Sequence, residues 1–135
     1  MDINKLITPY IGLPYKHHGR DRQGYDCYGL IIAIYADMGY KLMDIEEKYD
    51  EHWSWQGRNH FIENYHKQWD IATTPKLLDV IMFKNKRGIV NHGGIIIDRF
   101  RFINARKAGV VIDRIGEKKW AESLDGFYHL KEATW

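Results

Sequence analysis

The 135-residue chain has one cysteine, and it stands in the stretch GYDCYGL, residues 24–30. A thiolate can attack an amide carbonyl, but it needs a base within hydrogen-bond reach and a third group that orients the base. Of the seven histidines, His92 opens a strand-like run, HGGIII, whose two glycines leave room for another side chain or chain to approach. Asn104 ends a second run, RFIN. A hairpin turning around Asp98 to Phe100 would pair His92 directly with Asn104 on one side of a sheet. A slip of one residue would send the two to opposite faces. A carboxamide can hold an imidazole by its other nitrogen, as in the Cys-His-Asn form of the triad. Each residue also has a plainer role: a free cysteine usually packs as a small apolar side chain, and His or Asn often ends a strand. Together, Cys27, His92 and Asn104 describe acyl transfer.

Three elements must position these groups. Leu30, Ile31, Ile34, Tyr35 and Met38 recur at spacings of three and four with Gly39 as a stop, which predicts a helix over roughly 27–38. Cys27 then lies in its first turn, where unpaired N–H groups and the helix dipole favour a thiolate and lower the thiol pKa. The same N–H groups can receive the charge that develops on a carbonyl oxygen under attack. After Pro75 come LLDVIMF, HGGIIID, RFINA and GVVIDRI, four short runs rich in β-branched and aromatic residues, which predict antiparallel strands. Residues 6–21, with Pro9, Gly12, Pro14 and Gly19, read as a short helix or turn leading into a loop. Phe61, Ile62, Tyr65 and Trp69 predict a second helix of about 58–68. Helices segregated ahead of strands make an α+β fold.

A chain of this length fits one domain, 1–135, and buries roughly 65–70% of its unfolded surface without a disulfide or metal staple. The start of the sequence lacks the pattern of an export signal, and no apolar run reaches the roughly 20 residues that span a bilayer. The expectation is a soluble protein made in the cytoplasm. A formal charge of +2 is too small to imply nucleic acid; KNKRG (84–88), Arg99, Arg101, Arg106 and Lys107 read as a solvated basic face. His52, His60, His66 and the adjacent His17 and His18 lack a familiar ligand spacing, so neither metal nor cofactor is expected. The tryptophans read as packing residues.

The stretches LPYKHHGRDRQGYDCYGL, LLDVIMF, NHGGIII and FINARKAGVVI resemble, in order and spacing, those of the NlpC family of papain-like cell-wall peptidases. Family members carry a pattern close to PY...GG...G-F/Y-D-C-S-G-L, then H-V-G-I-Y, then F-I-H-A...G-V. The resemblance covers about residues 6–115. It implies a papain-like domain with N-terminal helices packed on a mainly antiparallel sheet, Cys27 as nucleophile, His92 as base and Asn104 as the orienting group. It further implies that Tyr15 borders the oxyanion site and that Asp26 helps bind a free amine of the substrate. Tyr28 stands where relatives have a substrate-side Ser, His18 replaces a glycine of the GG pair, and Leu77-Leu78 replaces Pro-Gly before Asp79. The implied reaction is hydrolysis of a peptidoglycan stem-peptide amide, after D-γ-glutamate by family habit. DCYGLI and the acidic, aromatic stretch 44–70 resemble the single-domain members in tails of long-tailed bacteriophages, which implies a virion location and tail-tip partners. The alternatives are a catalytically inactive structural protein of a tail tip, or an acyltransferase or amidase on the same scaffold.

Overall fold

The computed structural model describes residues 1–44, 61 and 64–135. A short helix α1 (Ile3–Ile7), capped by Asp2, and a 3-10 turn (Thr8–Tyr10) lead to a two-stranded hairpin, β1 (Arg20–Asp21) with β2 (Gly24–Tyr25). Helix α2 (Cys27–Asp37) follows directly, ending at Met38 and Gly39 as its periodicity predicts. The main sheet comprises β3 (Trp69–Ala72), β4 (Val80–Lys84), β5 (Val90–Ile96), β6 (Arg101–Arg106), β7 (Gly109–Arg114) and β8 (Leu124–Leu130). A one-and-a-half-turn helix α3 (Lys118–Ser123) precedes β8. The six strands lie in the order β3-β8-β4-β5-β6-β7, every neighbour antiparallel.

The two faces of the sheet carry two cores. Val80, Met82, Ile95, Ile103 and Ala105 face α2, whose Leu30, Ile31, Ile34 and Tyr35 are fully buried against them. Side chains alternate along each strand, so Ile81, Phe83, Ile96 and Phe102 form a separate cluster on the other face, covered by Trp120 of α3. His92 and Gly94 share the parity of Ile96, and Asn104 that of Phe102, so they belong to the α3 face while the cysteine arrives on the helix of the opposite layer.

The four predicted strands are present as β4 to β7. Four more were not anticipated: β1 and β2, two residues each, and β3 and β8, which join the sheet through long-range pairing such as Trp69↔Leu130. The predicted second helix falls largely outside the described residues. Within them, Phe61 and Asn64 are helical, Tyr65–Lys67 forms a 3-10 turn, and Trp69 begins β3 rather than extending a helix. The β5–β6 register differs from the expected one by two residues: Gly94, not His92, is opposite Asn104. An even shift preserves the face, so His92 and Asn104 remain on one side as diagonal neighbours.

Candidate active site

Cys27 owes its place at the head of α2 to Asp26. The Asp26 carboxylate caps the helix by accepting the Gly29 N–H at 2.7 Å and also accepts the His18 N–H at 3.1 Å. Arg20 donates at 2.8 Å to the same oxygen, Oδ1, that caps the helix, and holds Asp44 through two further bonds of 2.9 and 3.0 Å. Asp26 is 4% exposed, so this carboxylate, expected to meet a substrate amine, also fastens the loop before the helix. The glycine of the Asp-Cys-x-Gly-Leu motif has a steric reason: a Cβ on Gly29 would lie 2.0 Å from the Gly19 carbonyl oxygen. Tyr15 is bridged to Tyr25 alongside, with its side chain partly packed on the core.

The Cys27 sulfur rests against backbone, with the N–H groups of Gly93 and Tyr28 directed at it. Gly93 adjoins His92 in the chain, and the β5–β6 pairing begins only at Gly94. The thiol of the α2 layer thus meets β5 one peptide from the imidazole of the α3 layer. The helix start does not lower the thiol pKa as its position predicted. Burial pushes Cys27 up to about 12, with the Asp26 charge adding to it; the two N–H groups and Arg20 oppose this and lose.

His92 and Asn104 form the direct contact of the site: imidazole Nε2 lies 2.7 Å from Asn104 Oδ1. Residues two apart across a ladder are reachable by long side chains, and Gly94, opposite Asn104, interposes none. A Cβ at Gly94 would sit 2.4 Å from the Ile103 carbonyl oxygen and 3.1 Å from Asn104 Cβ. Asn104 is fully buried, and its Nδ2 donates to Asp113 Oδ2 at 2.9 Å and to the Val111 carbonyl at 3.3 Å. Both partners are acceptors, so the amide must present Oδ1 to the ring. His92 Nε2 therefore carries the proton, and Nδ1 is the lone pair that can act as base. Burial holds the imidazole below its ordinary 6.5, against the hydrogen bond it donates to Asn104 and with help from the Arg106 charge. Both shifts favour a neutral thiol and a neutral imidazole.

Asp113, in β7, was missed in the sequence, as was Trp120. Asp113 also pairs with Arg106 at 3.3 Å. The available signal was a carboxylate in the otherwise apolar GVVI-D-RI, two residues beyond the partner of Asn104. Tyr28 is half-buried, its hydroxyl donates to the Met43 carbonyl at 2.9 Å, and with Tyr65 and Trp69 it lines a shallow, narrow cleft. Burial and the Asp44 charge raise its pKa. No group of three or more His, Cys, Asp or Glu placed to hold a metal occurs among the described residues; His52 and His60 lie outside them.

The family model described as "NlpC/P60 family" matches residues 12–129. No curated protein matches the sequence. Among solved structures, a lipoprotein-like NLP/P60 family protein from Staphylococcus aureus superposes with a TM-score of 0.71 at 22% identity, over 95% of this chain and 40% of that one. An NlpC/P60 family protein from Bacillus cereus gives 0.67 at 19% identity, over 94% and 39%. The NlpC/p60 domain of the peptidoglycan hydrolase SagA gives 0.58 at 20% identity, over 93% of each chain. The chain thus spans about two-fifths of the first two and nearly all of the third. At these identities the likeness is one of fold, and it covers the α+β arrangement of helices on a mainly antiparallel sheet.

Proposed function

Because the chain belongs to the NlpC/P60 family, we propose that it is a cysteine peptidase that hydrolyses an amide bond in peptidoglycan stem peptides, the bond that follows D-γ-glutamate. The observation that carries this reading is the chain of bonds from Asp113 through Asn104 to His92 Nε2, on the strand whose next residue, Gly93, directs its N–H at the Cys27 sulfur. In the reaction, Nδ1 takes the thiol proton as sulfur bonds to the carbonyl carbon, and the imidazolium then protonates the departing amine. The resulting thioester is hydrolysed by a water that gives its proton to Nδ1, which restores the free thiol and releases the acid. The Cys27 backbone N–H at the head of α2, with Tyr15 beside it, would hold the oxyanion; one such donor is worth roughly 3–4 kcal/mol. Asp26 and Tyr28 flank the nucleophile and would meet the substrate.

The two shifts towards neutral forms support transfer of the proton during attack rather than a standing thiolate–imidazolium pair. A tail of a long-tailed bacteriophage is the location we propose, supported by the aromatic Tyr28 after the nucleophile. The test is incubation of wild type and Cys27→Ala with purified peptidoglycan, with released fragments read by mass spectrometry. Wild type should release fragments with new amino ends following D-γ-glutamate, and the variant none. Equal release by both would exclude Cys27 as nucleophile; wild-type release at another amide would move the site of cleavage.

A further inference from the structure

Resting on the reading of His92 as base, one side chain outside the triad covers the imidazole face. Trp120 of α3 lies over His92 with ring centroids 5.4 Å apart and planes 18° apart. Its indole is anchored on Phe83 at 4.8 Å and edge-on to Phe102 at 5.3 Å. Arg106 and Lys119 place their cations 5.6 and 4.8 Å from the indole. The indole Nε1–H is buried and has no hydrogen-bond partner among the described residues. An unpaired buried donor is unfavourable, so the residue is not held there by its polar atom. What it supplies is a flat apolar face, and a face-on ring leaves both imidazole nitrogens in plane and available.

We propose that Trp120 is a positioning residue: stacked on His92, it keeps water from the Nε2–H···Oδ1 bond to Asn104 and so maintains the tautomer whose Nδ1 is free to accept the thiol proton. A hydrogen bond sheltered from water is stronger and exchanges its proton more slowly. The charged neighbours act on the same ring from several sides. Arg106 of β6 and Lys119 of α3 disfavour an imidazolium, Asp113 of β7 favours it, and the Cys27 thiol of α2 meets the neighbouring Gly93 peptide.

The experiment is NMR of the full chain with 15N-labelled histidine, following the His92 ring proton and its titration in wild type, Trp120→Phe and Trp120→Leu. It needs no peptidoglycan, so its outcome is separate from that of the hydrolysis test. A slowly exchanging Nε2 proton is expected in wild type and in Trp120→Phe, which keeps a stacking ring and deletes the unpaired N–H. Trp120→Leu keeps apolar contact with Phe83 and Phe102 but should lose the ring-proton resonance to exchange and move the His92 titration up towards 6.5. A folded Trp120→Leu with wild-type ring proton and titration would overturn the proposal, as would loss of that proton in Trp120→Phe. Should Trp120→Leu not fold, wild type decides alone: a His92 ring proton exchanging as fast as that of an exposed histidine overturns it.

Discussion

At the scale of single residues, the orientation of the base is set two bonds away from it. Asp113 and the Val111 carbonyl compel Asn104 to turn its oxygen to His92, and that oxygen compels Nε2 to hold the proton. Replacing Asp113 with Val should lower kcat by about tenfold or more, a part of the roughly 10²–10⁴-fold that general acid–base catalysis contributes, with KM little changed. Asp113→Asn should restore most of the rate, because its amide oxygen can accept from Asn104 Nδ2. Steady-state kinetics on a stem-peptide substrate measures both, and equal rates for Asp113→Val and wild type would sever Asp113 from the mechanism. The contact between His92 and Asn104 was legible from residue type and spacing. The pKa of the thiol was not, since the dipole of a helix start is visible in sequence whereas the burial that overrides it depends on which strand packs there.

At the scale of elements, close approaches explain the motif glycines. Gly94→Ala would push a Cβ to 2.4 Å from the Ile103 carbonyl oxygen, which is ladder backbone and cannot swing aside. Strain of this kind costs about 1–3 kcal/mol, and the β5–β6 spacing that joins His92 to Asn104 should open with it. Chemical denaturation and peptidoglycan release are expected to fall together; a variant stable as wild type would refute the clash. Two departures from the family pattern also acquire a structural description. His18 and Leu78, each where relatives carry glycine, both adopt left-handed backbone, at φ 58° and 72°. Histidine tolerates that region better than most side chains. Leu78 is fixed there by its N–H to Ile96 and by the Tyr35 hydroxyl, which donates to its carbonyl. Helix α2 and strands β4 to β7 were legible because each satisfies a local period. The register was misread by two residues because the turn Asp98–Arg101 closes through the Asp98 side chain, whose bonds to the Phe100 and Arg101 N–H groups local pattern does not report.

For the molecule as a whole, the two site residues link stability to pH in opposite directions. The depressed His92 contributes stability that is present above its ordinary 6.5 and lost as pH falls below it. The raised Cys27 contributes stability that is complete below its ordinary 9.0 and lost as pH climbs towards about 12. Cys27→Ala should therefore flatten the alkaline limb without touching the acid one, a relative gain of about 1 kcal/mol near pH 10. Thermal melts of both proteins between pH 9 and 10, where the tyrosines contribute alike to each and cancel in the difference, check this; parallel curves would show that the thiol is not so shielded. Strands β3 and β8 went unread because their pairing spans some sixty residues of sequence, and nothing local to FYHL or WDIA announces a partner.

The sheet order has one consequence for synthesis. Residues 124–130 slot between β3 and β4, so a nascent chain still holding them inside the ribosomal tunnel has β3 detached and one side of β4 bare. Closing the sheet is thus a late folding event that waits for this strand to reach both of its neighbours.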